Sequence, residues 1–384
     1  MCGFQKMKIA IASDLPSFST GYGQAAHGLA KYLMRELNHS VCFIGLQHGG
    51  SPLYHRIDNV KGSEPNYLPV YAGNTQMNID RSIREIKPDV IIHIRDAFAH
   101  VQKYFPTPYT LMGRGARVLL WVPVQGAPLP QEFIDACNTQ ADIVITLTEW
   151  GRNQLLFQGV TTNRLHSAIP IGYDPEVWYP RKVRKEDYGF SPDRKLIGSV
   201  GINDQYRKGW PLLIKAASIA LKKKKIDLDL YLHTSELGAF DLPAHARAFG
   251  FTGHLLFPAS YDKGWGVDVN TLAEIVSCFD IYASASIAEG QSVPLLEAAA
   301  AGKPLVVSDL PVFREVFGDH ATYVTTYQLY PATWSMDYVI DPQDMAEKFA
   351  SVLSNPPSDN TDYIQNYSWP SLMKKWEKAL EELS

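Results

Sequence analysis

The stretch Ala288-Glu289-Gly290-Gln291-Ser292-Val293-Pro294-Leu295-Leu296-Glu297-Ala298 sets two carboxylates around a glycine turn and the opening of an apolar helix. Ser292 suits an N-cap and Pro294 a first helical turn, so backbone N–H groups left free at this terminus point toward the loop carrying Glu289 and Gly290. Such a terminus favours phosphate or sugar oxygens. Pro294 to Glu297 covers roughly 4.5 Å of helix rise, which sets Glu297 about a turn deeper than Glu289. The spacing predicts that the two carboxylates meet different parts of one ligand. The competing reading is a helix that merely begins with an acidic residue favourable to its dipole.

Outward from this stretch, apolar runs recur at helix-length intervals. Lys8 to Ala12, Val41 to Leu46, Asp89 to Ile94, Arg117 to Val122 and Ile143 to Thr146 mark the first half. Continuous β-branched runs of this kind belong to a parallel sheet buried on both faces. Ile169 to Pro180 breaks the pattern with three prolines, and the interdomain linker is expected there or just beyond. Strand-like runs resume at Leu196 to Val200, Asp229 to Leu232, Ile281 to Ala283 and Leu305 to Val307, so a second α/β domain follows. Trp369 to Leu383 places Leu372, Trp376, Leu380 and Leu383 on one helix face.

The opening stretch resembles the acidic signature of the retaining GT-B glycosyltransferases of family 4, Glu-Gly-Phe-Gly-Leu-Pro-Leu-Leu-Glu-Ala. Seven of its ten positions match, with Gln291, Ser292 and Val293 replacing Phe, Gly and Leu. The resemblance implies two doubly wound Rossmann-like domains facing across a cleft. Their expected bounds are 1–178 on the acceptor side and 179–366 on the nucleotide-sugar side, with a helix over 367–384 crossing back to the first. It further implies that Glu289 lies against the donor sugar and that Glu297 takes the ribose hydroxyls, with Gly290, Gln291 and Ser292 beside the donor.

Other motifs follow in the order of that family. Thr20-Gly21-Tyr22-Gly23 lies between the first apolar run and the first helix, where glycines admit a ligand to the backbone. A dinucleotide fingerprint fails, because the next glycine is Gly28 and no acidic residue closes a second strand at the expected distance. The turn is similar to the family loop under the donor sugar and phosphate; a tight turn requiring positive φ is the alternative. Gly201-Ile202-Asn203-Asp204-Gln205-Tyr206-Arg207-Lys208-Gly209 resembles the segment Gly-Arg-x-x-x-x-Arg-Lys-Gly, whose first Arg and Lys neutralise the leaving diphosphate. Lys208 matches that Lys, whereas Ile202 replaces the first Arg, so that Arg207 or a residue of the first domain compensates or donor affinity is low. Asn203 is counted with the donor side.

Gln125 follows the Arg117 to Val122 run, where relatives carry a His or Asp near the sugar; an amide can hydrogen-bond there but cannot serve as a base. Thr148 and Asp174 resemble residues of turns that border the cleft, and Asp96 stands just past a strand end as a candidate acceptor contact. Base recognition is expected from backbone near His233, Thr234, Phe257 and Pro258. Asp227-Leu228-Asp229 is read as a solvated strand entrance rather than a metal-binding Asp-x-Asp. The eleven histidines show no metal-ligand spacing, and no metal or cofactor is expected.

Composition bounds these readings. A chain of 384 residues exceeds one ordinary core. The net charge of −4 and pI of about 6.3 give no global pull toward nucleic acid or an anionic membrane. Cys2, Cys42, Cys137 and Cys278 form neither a metal spacing nor a disulfide framework, and no apolar run is long enough to span a bilayer or to act as a secretory signal. A cytoplasmic location is the expectation. The resemblance, within these bounds, implies a metal-independent retaining hexosyltransferase taking a UDP- or GDP-sugar to a hydroxyl acceptor: a glycan, a lipid, a small molecule or a modified nucleic acid. A nucleotide-sugar epimerase and a catalytically degenerate nucleotide-sugar-binding protein of the same fold remain the alternatives.

Overall fold

A computed structural model describes residues 6–18, 20–60, 64–94, 115–161, 163–203, 206–259, 261, 267–329, 335–357 and 361–383. Contacts divide the chain into two units, Met1–Gly172 with Tyr367–Ser384, and Tyr173–Asn366. The division falls at 172, not at 178.

Unit 1 runs β1 (Lys8–Ser13), α1 (Gly21–Arg35), β2 (Ser40–Gly45), β3 (Leu53–Ile57), β4 (Asn66–Ala72), α2 (Gln76–Ile86), β5 (Val90–Ile94), β6 (Arg117–Val122), α3 (Gln131–Thr139), β7 (Ile143–Thr146) and α4 (Glu149–Phe157). Its seven strands lie in the order β3-β4-β2-β1-β5-β6-β7. The apolar runs of β1, β2, β5, β6 and β7, buried beyond the exposed first residue of β1, β2 and β6, are those read from the sequence. Two strands were not expected: β3 pairs antiparallel to β4 at the sheet edge. Their exposed Tyr54 and Tyr67 interrupt the apolar run that marks a doubly covered strand.

Unit 2 runs β8 (Lys195–Val200), α5 (Trp210–Lys223), β9 (Leu228–His233), α6 (Leu242–Phe249), β10 (Leu255–Leu256), α7 (Val269–Ser277), β11 (Ile281–Ser284), α8 (Val293–Ala300), β12 (Leu305–Ser308), α9 (Pro311–Phe317), β13 (Thr322–Val324), β14 (Thr326–Leu329), β15 (Asp337–Ile340) and α10 (Pro342–Ser354). A parallel sheet has the order β10-β9-β8-β11-β12-β13, and β14 pairs with β15 as a separate antiparallel ribbon. Ile197, Leu230, Leu232, Ile281 and Val306 of the sheet pack with Trp210, Leu213 and Ala217 of α5 and Phe349 of α10.

The closing helix α11 (Trp369–Glu381) belongs to unit 1 and buries Trp369, Leu372, Met373, Trp376 and Leu380. Trp369 passes between Gly28 and Gly172, where an added Cβ would meet its indole at 2.3 and 2.7 Å. Trp376 meets Trp121 edge to face at 4.9 Å, and the Trp121 indole N–H donates to the Ile169 carbonyl at 2.7 Å. Side chains of this size buried together make the helix an integral part of the unit 1 core.

Candidate functional site

In unit 2 the strand order reverses between β8 and β11, which pair Ile197 with Ile281 and Gly198 with Tyr282. The turns after these strands therefore leave the same sheet edge, where open α/β sheets bind ligands. The first turn contains a 3-10 segment over Tyr206–Lys208 and ends at Gly209, whose φ is +63°. An added Cβ there would lie 2.1 Å from the Ala285 carbonyl oxygen, so glycine is what lets the two turns touch. The Ile287 N–H donates to the Arg207 carbonyl at 2.8 Å and joins them.

This contact brings three charged side chains together. Arg207 Nη1 stands 2.7 Å from Glu289 Oε2, and Lys208 Nζ stands 2.7 Å from Glu289 Oε1. The Ser286 hydroxyl donates to the same Oε1 at 2.9 Å. Glu289 is only 5% exposed. Burial alone would raise its carboxyl, but Arg207 and Lys208 outweigh that and hold it at about 2. The result is a buried, ionised carboxylate with both oxygens engaged by cations.

Ser286 is part of a longer chain that the motif reading missed. Ser284 Oγ donates to Ser286 Oγ at 3.2 Å, and Ser308 Oγ donates to the Ser284 carbonyl at 3.3 Å. Its sequence signal is slight: a hydroxyl three residues before the glutamate within one turn.

Glu297 lies on α8 and is half-buried. Burial pushes its carboxyl up to about 8, partly offset by a hydrogen bond from Trp178. Two carboxylates of one short stretch thus titrate on opposite sides of the common glutamate value, a separation that equips one as a fixed anion and the other as a proton-bearing donor.

Several expected roles change. Ser292 occupies the residue before α8 but has φ 81° and ψ 90°, and its side chain makes no cap hydrogen bond. A capping hydroxyl needs an extended backbone, which positive φ denies it. Asn203, completely buried, donates both amide protons to the carbonyls of Ser235 and Phe240 at 3.1 and 2.8 Å and accepts from the Phe240 N–H. Its side chain holds the 235–240 loop and has no proton left for a donor. Asp229 is not solvated: it is buried and paired with Arg194 and His254, each at 3.1 Å.

Along the same edge, His233 ends β9 and lies 2.8 Å through Nδ1 from the Tyr231 hydroxyl, and burial lowers it to about 4, so the ring is neutral. The neighbouring Thr234 hydroxyl is buried with no hydrogen-bond partner among the described residues. Phe257 and Pro258 follow β10, both half-buried. Gly290, Gln291 and Ser292 share the turn of Glu289.

In unit 1 the expected residues serve the local structure. Thr20, not a loop glycine, opens α1 by accepting from the Gly23 N–H at 3.1 Å, and neither Gly21 nor Gly23 has positive φ. Gly23 is required by proximity: a Cβ would lie 2.6 Å from the carbonyls of Leu15 and Phe18, whereas Gly21 faces open space. Tyr22 accepts through its carbonyl from Ser13 Oγ at 3.3 Å. Thr148 caps α4 by accepting from the Gly151 N–H at 3.1 Å, and Gln125 is half-buried beyond β6. Asp174 falls in unit 2 and accepts from the Glu176 N–H at 3.0 Å. Asp96 lies outside the described residues. Among the described residues no helix is long and apolar enough to cross a membrane.

Residues 180–368 match the family described as Glycosyl transferases group 1. EpsF of Bacillus subtilis (strain 168), which carries a glycosyltransferase name, is 28% identical over 150 residues, a stretch covering 38% of this chain and 36% of EpsF. The fold is similar to that of HepE (Alr3699) of Anabaena, solved with UDP and glucose: TM-score 0.69, 13% identity, 98% of this chain and 99% of that one covered. It is also similar to sucrose-phosphate synthase of Thermosynechococcus elongatus, with TM-score 0.70, 15% identity and coverage of 98% and 99%. The chain thus has the GT-B fold of these glycosyltransferases, and the match to the group 1 glycosyl transferases lies in residues 180–368.

Proposed function

We propose that this protein moves a hexose from a UDP- or GDP-linked donor to a hydroxyl acceptor, with retention of anomeric configuration and without a metal, in the cytoplasm. The observation that carries this reading is Glu289, buried and ionised between Arg207 and Lys208 at the switch point of unit 2. Two cations against one carboxylate leave an excess of positive charge where a diphosphate would stand, and α8 begins on the same turn with backbone N–H groups to spare. These groups gain interaction energy as charge grows on the departing diphosphate, which is the condition for lowering a barrier rather than only binding a ground state.

Glu289 would face the sugar and favour its developing cationic character. The acceptor hydroxyl attacks from the face the diphosphate leaves, and its proton passes to the leaving phosphate, so no covalent sugar–enzyme bond is required. Glu297, raised toward neutrality, suits ribose hydroxyls because a carboxyl near its midpoint both donates and accepts. Arg207 takes the duty of the family arginine that Ile202 lacks. HepE with UDP and glucose supports a nucleotide-sugar donor.

The test is a panel of UDP-, GDP-, ADP- and TDP-sugars scored by thermal stabilisation and by acceptor-free hydrolysis, with Lys208→Ala and Glu297→Ala beside wild type. One donor should stabilise the wild type and lose its effect in both variants. Release of an altered free sugar without acceptor would favour the epimerase instead, and binding that survives both substitutions would remove this site assignment.

A further inference from the structure

Between β13 and α10 the chain makes the β14–β15 ribbon, whose place beside the charged cluster gives it a second role. The Tyr338 N–H donates to the Ile287 carbonyl at 2.9 Å, and the Ile287 N–H donates to the Arg207 carbonyl at 2.8 Å. Three segments, the ribbon, the Glu289 turn and the Arg207 turn, are thereby joined in series through their backbones. Tyr206 and Asp337 each stand one residue before the bonded position on the two outer segments. Cross-strand pairing sets Asp337 opposite Leu329 and Val339 opposite Tyr327, so Asp337 shares a ribbon face with Tyr327 and Leu329, both more than half exposed.

Asp337 is half-buried, paired through its backbone with Leu329 in the ribbon. Burial raises its carboxyl, and its charge is felt by the Tyr206 phenol, which is itself 56% exposed. A partly exposed carboxylate that accepts from no protein side chain can exchange its water for the hydroxyl groups of a ligand. Sugar hydroxyls are such donors: adjacent hydroxyl groups can bond the two oxygens of one carboxylate, while a neighbouring phenol both donates and packs on the apolar face of the ring.

We infer that Asp337 and Tyr206 bind hydroxyl groups of the donor hexose beside Glu289, making the β14–β15 ribbon a determinant of which sugar is accepted. This rests on the transfer reading above, since the hexose is the part of the ligand nearest the Glu289 turn. The ribbon takes no part in holding the nucleotide.

Asp337→Asn and Tyr206→Phe, both near-isosteric, test it by titration of each protein with UDP, UDP-glucose, GDP and GDP-mannose. In wild type the matching nucleotide sugar binds more tightly than its bare nucleotide. The inference expects each variant to keep nucleotide affinity within twofold while the affinity added by the hexose falls, by about tenfold in Asp337→Asn and less in Tyr206→Phe. Hexose affinity unchanged in both variants would overturn it and leave the transfer reading standing. Parallel loss of nucleotide and nucleotide-sugar affinity would overturn it in favour of a structural ribbon. Wild type that binds none of the four would overturn the transfer reading itself, and this inference with it.

Discussion

Each unit places a strand–turn–helix at the reversal of its sheet, and the two turns use their polar residues in opposite ways. After β1, Thr20 caps α1, its hydroxyl donates to Asp14 at 3.0 Å, and Gln47 donates to Asp14 in turn. Polar groups there satisfy one another and the helix end. After β8, the turn carries Arg207 and Lys208 to a carboxylate supplied by a different strand, and the three are concentrated charge with little water. Desolvating such a set costs several kcal/mol per ion and is offset only by close pairing. The same topology thus yields a self-contained cap in one unit and a charged cluster in the other, and stability alone does not call for the second.

The largest effect separating the two turns should come from Lys208→Ala. If Lys208 faces the leaving group as proposed, its loss lowers donor turnover by roughly 10²–10³-fold, measured as hydrolysis or transfer under saturating donor. Activity within a few-fold of wild type would equate the unit 2 cluster with the unit 1 cap.

Glycines sharpen the contrast next. Gly209→Ala forces a side chain at positive φ into the Ala285 carbonyl and should cost roughly 3 kcal/mol in chemical denaturation. Gly21→Ala meets open space at a helical residue without positive φ and should leave stability within about 1 kcal/mol of wild type, on the stabilising side.

The two carboxylates of the unit 2 stretch divide the pH axis. Glu297 binds its proton more tightly folded than unfolded, since its carboxyl rises from 4.5 to about 8. Its stabilising contribution is therefore full below the unfolded value and is lost as pH rises toward 8. Glu289 is the reverse: lowered to about 2, it contributes above 4.5 and loses that contribution as pH falls. Melting temperatures of Glu297→Gln between pH 5 and 8 should accordingly decline less with pH than those of wild type, by a few degrees across the window. An unaltered slope would mean that the Glu297 carboxyl is not raised.

Smallest of all, Thr20→Ala and Thr148→Ala each remove an N-cap hydroxyl and should cost about 1 kcal/mol with turnover unchanged. A turnover defect out of proportion to that loss would return the unit 1 turns to the site.

Legibility followed the kind of interaction involved. The buried strands β1, β2, β5 to β7, β8, β9, β11 and β12 were readable because burial on both faces demands an unbroken apolar run. The antiparallel pair β3–β4 and the β14–β15 ribbon were not, because half-exposed pairs mix polar and apolar residues as a loop does. At the site, Glu289, Arg207 and Lys208 were legible as residue types in a motif, while their mutual pairing and the contribution of Ser286 were not. Asn203 and Ser292 show the limit from the other side: the right residue types in the right stretch, one spent on a loop and the other denied its cap by a left-handed backbone.

The sequence by itself determined two α/β units, the positions of their buried strands along the chain, and the charged residue types of the unit 2 turns, since each follows from short-range patterning of apolar runs, glycines and charges. Tertiary structure alone decided that Arg207, Lys208 and Ser286 converge on the Glu289 carboxylate, that Glu289 and Glu297 titrate apart, and that the ribbon is tied to the Glu289 turn. The physical reason is that a titration shift depends on which distant atoms exclude water and which charges lie within a few ångströms, and neither is a property of local sequence.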